Sequence, residues 1–272
     1  MIRDITLGQY YQKDSLIHRL DPRTKLVGTL AYLVSLFIFT KPLVFAVAAV
    51  FLLLVLILSR VPFSYMLKGL KPILFILIFT LIINMLFTKG TVIFSWWKLS
   101  ITKEGLKQAG SMGIRLVLLI LGSNLMTLTT TPTRLTNAME HLMRPLKLLR
   151  VPVHEIAMMM SIALRFIPIL LEETDRIMKA QLARGADFES GNAIKKAKSF
   201  VPVLVPLFIS AFRRANDLAM AMEARCYHGG KGRTQYKPLK YKGRDFAAYG
   251  VMILYLAAVI VAGRLEVTFP AF

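Results

Sequence analysis

Two arginines stand near the ends of two segments with a shared pattern. Gln181–Gly185 reads Gln-Leu-Ala-Arg-Gly, and Met222–Cys226 reads Met-Glu-Ala-Arg-Cys. Arg184 and Arg225 are 41 residues apart. The small neighbours leave room for close approach, and a guanidinium offers five donors in a fixed fork to carboxylates or carbonyl oxygens. The pattern predicts two docking segments for two similar grooves on soluble partners.

The same residues also fit simple helix endings. An arginine in the last turn complements the helix dipole, and glycine is common just beyond a helix C-terminus. Each segment taken alone favours this interpretation. Their pairing at the ends of two long predicted helices favours docking instead.

Composition indicates that these helices belong to a membrane protein. Of 272 residues, 56% are hydrophobic and 18% are charged, which is too apolar for a soluble domain. Five segments, once their helix caps are included, are long enough to cross a bilayer. We therefore predict an all-α polytopic membrane protein with five transmembrane helices, at about 22–40, 42–59, 72–88, 105–131 and 246–263.

The distribution of basic residues predicts the orientation. With a cytoplasmic N-terminus, the inner segments 1–25, 60–71 and 132–245 hold 28 of the 35 lysines and arginines. This agrees with the positive-inside rule and leaves the C-terminus outside. A seven-span alternative adds Ile156–Leu171 and Ser199–Phe212. It is disfavoured because it buries Arg165 in the bilayer and moves many basic residues outside.

The segment 132–245 is the predicted coupling module, inserted before the last span. It carries 20 basic and 10 acidic residues. We expect three coupling helices, at about 133–149, 153–185 and 192–227. The two long ones are apolar in the first half and charged in the second, so we expect one half to face the membrane and the other a soluble partner. The domains are then 1–131, 132–245 and 246–272, the last with an external C-terminus.

Several sequence signatures resemble one transporter family. Ala183–Gly185 and Ala219–Tyr227 are similar to the two Ala-Arg-Gly motifs of the transmembrane T component of energy-coupling factor transporters. Leu20–Leu26 is similar to that family's N-terminal signature, and Ala163–Pro168 fits its pattern ahead of the first motif. One departure is Cys226, which stands where the family often has glycine. Because cysteine is small, we expect the docking segment to be kept, although glycine's backbone freedom is lost.

The resemblance implies a function and a set of partners. The family imports vitamins and related micronutrients across the prokaryotic cell membrane, using two ABC-type ATPases and one substrate-binding S component. ATP and Mg²⁺ belong to the ATPases, so this chain is expected to be non-catalytic, with no cofactor of its own. Each motif is expected to dock into one ATPase. The implied ATPase-docking residues are Ala183, Arg184, Gly185, Ala224, Arg225 and Cys226.

The apolar halves of the long helices are the expected contact for the S component. Eight of the 14 methionines lie in 132–245. Methionine often fills cores, but it also forms adaptable surfaces that accept several partners. Such a surface suits exchange of one S component for another. The expected S-component-docking residues are Met158, Met159, Ala163, Ile167, Val203 and Leu207.

Other functions have less support in the sequence. No G-x-x-x-x-G-K-[ST] phosphate loop is present, and the four histidines have no metal-ligand spacing. We expect no nucleic-acid binding, because the basic residues adjoin apolar spans and suit the lipid surface. Two alternatives stay open: a stand-alone carrier or channel, and a T component dedicated to cobalt or nickel uptake.

Overall fold

A computed structural model of the chain describes residues 10–88, 90–96, 99–188, 192–229 and 239–265, without the side chains of 92–96, 99–101 and 193. The chain divides into two compact units. We call the first the bundle unit, formed by Gly8–Ala138 and Pro238–Phe272. The second, the helix-pair unit, contains Met139–Lys237.

Helices form most of the bundle unit. A short antiparallel hairpin interrupts them, and α6 crosses the sequence boundary between the units. The elements are α1 (Pro22–Ile38), α2 (Pro42–Ser59), α3 (Phe63–Lys68), α4 (Leu74–Phe87), β1 (Val92–Trp96), β2 (Leu99–Thr102), α5 (Lys103–Thr129), α6 (Pro132–Leu142) and, after the second unit, α10 (Gly243–Arg264).

The core of the bundle unit lies between α1, α2, α5 and α10. Tyr32, Phe51 and Tyr255 form an aromatic cluster, in which the rings of Phe51 and Tyr255 stack with centroids 4.2 Å apart. The hydroxyl of Tyr255 pairs with Ser35 Oγ at 2.7 Å. Gly122 permits close packing, because a Cβ there would lie 2.5 Å from the Tyr32 ring. The first and last helices are thus packed into one core.

The N-terminal signature ties α1 to α10. Asp21 caps α1 by accepting a hydrogen bond from the N–H of Arg23 at 2.9 Å, as expected of an aspartate before proline. The N–H of Asp21 donates to Oδ1 of Asp245 at 2.7 Å, and the N–H of Lys242 donates to Oδ2 at 2.8 Å. Asp245 is almost fully buried. The Asp245 carboxylate therefore links the start of α10 to the start of α1, 224 residues earlier in the chain.

The helix-pair unit contains two long helices, α7 and α9. A short 3₁₀ helix, Arg144–Leu149, comes first, followed by α7 (Val153–Ala183), α8 (Ala193–Ser199) and α9 (Val201–Glu223). Two of the predicted helices are divided in two. The predicted 133–149 helix ends at Leu142, before Arg144-Pro145. The predicted 192–227 helix breaks at Phe200, because Pro202 in the first turn of α9 has no N–H to continue the ladder.

The all-α polytopic fold is confirmed. Within the described residues, five helical runs are long and apolar enough to cross a membrane. They are Pro42–Ser59, Phe63–Phe87, Lys103–Thr129, Val153–Ala183 and Gly243–Arg264. The number matches the prediction, but α7 is included and the 17-residue α1 is not. The orientation of the termini stays a prediction, and residues 266–272 lie outside the described part of the chain.

Candidate functional site

The first predicted docking segment ends α7 in a defined backbone motif. Gly185 has a φ angle of 87°, which favours glycine. Its N–H donates to the carbonyl of Leu182 at 3.0 Å, and the N–H of Ala186 donates to the carbonyl of Gln181 at 3.0 Å. This pair of bonds is the Schellman ending of a helix. Arg184 is the last residue before the left-handed position.

The second segment ends α9 in the same motif. The N–H of Cys226 donates to the carbonyl of Glu223 at 2.8 Å, and the N–H of Tyr227 donates to the carbonyl of Met222 at 3.1 Å. Cys226 has a φ angle of 54°. Arg225 therefore has the same place in its motif as the first arginine has in the other.

The backbone of Cys226 adopts the conformation that glycine has in the first motif. The sequence predicts that a small cysteine can keep the docking segment while losing glycine's backbone freedom, and Cys226 does adopt a left-handed conformation like that of Gly185. A non-glycine residue in this conformation costs about 1–2 kcal/mol. The second motif thus keeps its shape at the expense of local strain.

All six predicted ATPase-docking residues are accessible on the helix-pair unit. Ala183, Arg184 and Gly185 are exposed at the end of α7. The matching residues at the end of α9 are exposed as well: Ala224, Arg225 and Cys226. Each arginine directly follows an alanine in the sequence. This arrangement suits insertion into a groove that offers carboxylates or carbonyl oxygens.

The two helices run in opposite directions. Arg214 Nη2 lies 3.4 Å from Glu173 Oε2, and Gln181 Nε2 donates to the carbonyl of Pro202 at 3.3 Å. The helices α7 and α9 therefore pack antiparallel. The end of α9 lies beside the first half of α7, where the two helices share a groove. From the middle of that groove, Ile162, to Arg184 is 22 residues, or roughly 33 Å along the helix.

A groove beside Arg225 brings a second arginine to the site. It has a volume of about 570 Å³ and is lined by Arg165 and Phe166 of α7 and by Arg225 and Cys226 beyond α9. Arg165 belongs to the Ala163–Pro168 signature, and its side chain is exposed. The sequence did not indicate that Arg165 and Arg225 line the same groove. The direction of α9 relative to α7, which brings them together, cannot be read from the sequence.

The predicted S-component-docking residues divide by exposure. Met159 is 58% exposed, and Ala163 is also exposed. Three others are half-buried: Met158, Ile167 and Leu207. Val203 is only 2% exposed. Its assignment to a docking surface is therefore corrected: Val203 packs inside the unit and is not available to a partner on its surface.

The exposed apolar surface of α9 lies within the apolar half that was predicted to contact the S component, 199–212, but on a different face from Val203 and Leu207. We call it the α9 stripe: Val201, Leu204, Val205, Phe208, Ile209 and Phe212. Phe208 and Phe212 are 62% and 68% exposed. Their i, i+4 spacing was a usable signal. It was not decisive, because 201–209 is apolar on every face.

Metal-ligating side chains do not cluster in the described part of the chain. Among the described residues, no three His, Cys, Asp or Glu side chains come together in a way that could hold an ion.

Comparisons of the chain with known proteins all point to the same family. Residues 13–236 match the CbiQ family, described as cobalt transport protein. The chain is 55% identical to the energy-coupling factor transporter transmembrane protein EcfT of Ruminiclostridium cellulolyticum, covering 96% of this chain and 97% of that protein. It is 52% identical to EcfT of Clostridium kluyveri, covering 97% and 98%. It is 48% identical to EcfT of Bacillus subtilis, covering 96% and 98%.

The relatives match nearly the whole chain, and the family match over 13–236 spans the positions of both arginine motifs and of the N-terminal signature. The relatives are named as transmembrane components of a transporter. The helical, apolar architecture agrees with a multi-pass protein of the cell membrane. The chain belongs to the EcfT family of energy-coupling factor transporter transmembrane proteins, within the wider CbiQ family.

Proposed function

We propose that this chain is the non-catalytic coupling subunit of an importer for vitamins or related micronutrients. It links two cytoplasmic ABC-type ATPases, which hold ATP and Mg²⁺, to a substrate-binding S component. One observation carries the proposal: Arg184 and Arg225 end two antiparallel helices in the same backbone motif. Both arginines are exposed, and they lie far from each other. Two such equivalent groups suit two equivalent grooves on the partners better than a single groove.

The helix pair offers a route for mechanical coupling. When ATP closes the ATPase dimer, the two grooves move together, and the helix ends held in them must follow. Contacts between α7 and α9 stabilise the pair as a unit, including Arg214 with Glu173 and Gln181 with the Pro202 carbonyl. The motion then reaches the apolar surface and tilts or releases the S component.

The S component is proposed to bind the apolar surface of the helix pair. Met159 and Ala163 of α7 contribute to it, and the α9 stripe supplies most of the exposed area. Flexible methionine can adapt to more than one partner, which supports exchange of S components. This proposal replaces Val203 with the α9 stripe.

The proposed orientation follows the basic residues. The N-terminus and the helix-pair unit face the cytoplasm, where the ATPases are, and the C-terminus lies outside. The support is the 28 of 35 basic residues in the segments proposed to be inside.

Reconstitution tests this function directly. Liposomes containing the chain, its two ATPases and an S component should take up that S component's labelled vitamin only with ATP. Liposomes without the chain should show none, and the purified chain alone should neither hydrolyse ATP nor bind the vitamin tightly. Tight vitamin binding by the isolated chain, or uptake without the ATPases, would instead support a stand-alone carrier.

A second candidate is cobalt or nickel uptake. It is favoured by the description of the matching family as cobalt transport protein. The same liposomes, prepared with a metal-specific S component, should then accumulate Co²⁺ or Ni²⁺ with ATP. Uptake of the ions together with failure of every vitamin S component to assemble would favour this candidate.

A further inference from the structure

An apolar cleft opens into the bundle unit between α1, α2, α5 and α10. Its volume is about 410 Å³, and its walls include Val27, Tyr32, Leu52, Leu125 and Met252. The cleft also touches both Thr129 at the end of α5 and Gly122 seven residues earlier, so it extends roughly 10 Å along that helix. Its size and lining suit a hydrocarbon chain.

An open polar cavity at the surface, which we call the polar chamber, lies at the same end of the unit, where α1 and α10 begin. Its volume is about 450 Å³, and it is lined by Lys13, Asp14, Arg19, Arg134 and Arg244, with Tyr10, Gln12 and His18. Five of these eight side chains are charged, four of them positively. The chamber therefore has the electrostatic character of an anion site.

The acid in the chamber is already paired. Arg19 donates two hydrogen bonds to Asp14, one from Nε at 2.6 Å, and this pairing lowers the pKa of the Asp14 carboxyl. Lys13, Arg134 and Arg244 have no acidic partner among the described residues. Three positive charges are therefore left for a ligand.

His18 adds no further positive charge near neutral pH. Its Nε2 faces the carbonyl oxygen of Tyr11 at 3.0 Å, so Nε2 carries the hydrogen, and Nδ1 accepts from Ser15 Oγ at 2.7 Å. Burial, followed by the charge of Lys25, lowers the pKa of His18. The anion site is thus formed by the lysine and the arginines.

Arg244 joins the two cavities, because its side chain lines both of them. Its Nε is buried without a hydrogen-bond partner in the described part of the chain. A buried donor without an acceptor is costly, so an acceptor is expected here. The guanidinium fork matches the oxygens of a phosphate group.

We propose that the bundle unit binds one anionic glycerophospholipid. Its phosphate meets Arg244 and Arg134 in the polar chamber, and one acyl chain fills the apolar cleft. Basic pockets between membrane helices are known to bind such headgroups. A zwitterionic lipid would bring its own cation beside Lys13, and a soluble phosphate would leave the cleft without an occupant.

Native mass spectrometry of the delipidated full-length chain tests this site. The chain is titrated with dioleoyl phosphatidylglycerol, with dioleoyl phosphatidylcholine, or with glycerol phosphate. We expect one tightly retained phosphatidylglycerol, with clearly weaker binding of the other two. An Arg134→Gln/Arg244→Gln variant should bind it about 30-fold more weakly, at roughly fivefold per charge. The matched control is Arg264→Gln at the other end of α10, which should bind normally.

A second variant tests the acyl chain separately. Ala248→Phe on α10 fills the cleft and should weaken phosphatidylglycerol binding, whereas Ala258→Phe on the exposed face of the same helix should not. Equal binding of the two lipids would overturn the proposal. So would glycerol phosphate binding as tightly as the lipid, since that result would assign the chamber to a soluble anion. Unchanged binding by the double arginine variant would overturn it as well.

Discussion

Arg184 and Arg225 occupy the same position in two copies of one helix-ending motif, each followed by a residue of positive φ. Backbone hydrogen bonds alone form the two caps, so neither guanidinium group is needed to cap its helix. Neither forms an ion pair with any side chain in the described part of the chain. The helix-cap and docking interpretations are therefore compatible: the cap fixes the backbone and presents the arginine to a partner.

The strain at Cys226 gives a stability test. Cys226→Gly removes the left-handed penalty of a side chain and adds chain entropy to the unfolded state, for a net stabilisation of about 0.5–1 kcal/mol. Gly185→Ala should destabilise by about 1 kcal/mol for the converse reason. Both changes can be measured by thermal unfolding in detergent. Ala224→Gly, at a helical position, is the control and should not stabilise.

The contact between Asp21 and Asp245 gives a second test. Asp245→Asn places an amide against one of the two backbone N–H groups that the carboxylate now accepts. We expect a loss of about 2 kcal/mol in the free energy of unfolding, because one buried donor loses its acceptor. Chemical denaturation measures it, with the exposed Asp217→Asn as control. An equal effect of both substitutions would mean that the link between α1 and α10 contributes nothing.

The corrected apolar surface gives a third test. Met159→Glu and Phe208→Glu should each weaken capture of the S component while ATPase binding is kept, because a charge enters an exposed apolar contact. Val203→Ala should instead lower stability by about 2 kcal/mol, since it deletes buried methyl groups. Affinity capture with each purified partner separates these effects. Loss of the ATPases with Phe208→Glu would reverse the assignment of the two surfaces.

Topology gives a fourth test. In a Cys226→Gly background, cysteines replacing Asn192 and Lys240 should react with an impermeant maleimide only from the cytoplasm. A cysteine replacing Arg264, at the far end of α10, should react only from outside. The reason is the concentration of basic residues in 132–245. Labelling of the residue 192 cysteine from outside would restore the seven-span alternative.

The membrane fold could be predicted from the sequence because its signals are local. Asp21-Pro22 marks the start of α1, and Pro42 marks the start of α2, at the residues where these helices begin. Apolar length identified the other spans without knowledge of packing. The break at Phe200 was less clear, because a proline can either kink a helix or begin a new one.

The site could be predicted only in part. Arg184 and Arg225 were recognised from a repeated local pattern, and local hydrogen bonds form their motifs. The antiparallel direction of α9 and the burial of Val203 depend on packing between helices. Val203 and Leu207 have the same i, i+4 spacing as Leu204 and Phe208. The sequence does not indicate which of these two faces meets α7.

Transport by the Arg184→Ala/Arg225→Ala variant tests the central claim most directly. ATP-driven vitamin uptake is measured in liposomes containing the complete complex, with Arg176→Ala/Arg213→Ala, at exposed arginines of the same two helices, as the matched control. Each docked arginine is expected to contribute about 2–5 kcal/mol to its contact. We expect uptake to be abolished in the double variant and kept in the control, while the melting temperature of the isolated chain is unchanged. Lysine at both positions should restore uptake only in part, because it lacks the planar fork. Full uptake by the double alanine variant would contradict the account and leave the two motifs as helix caps only.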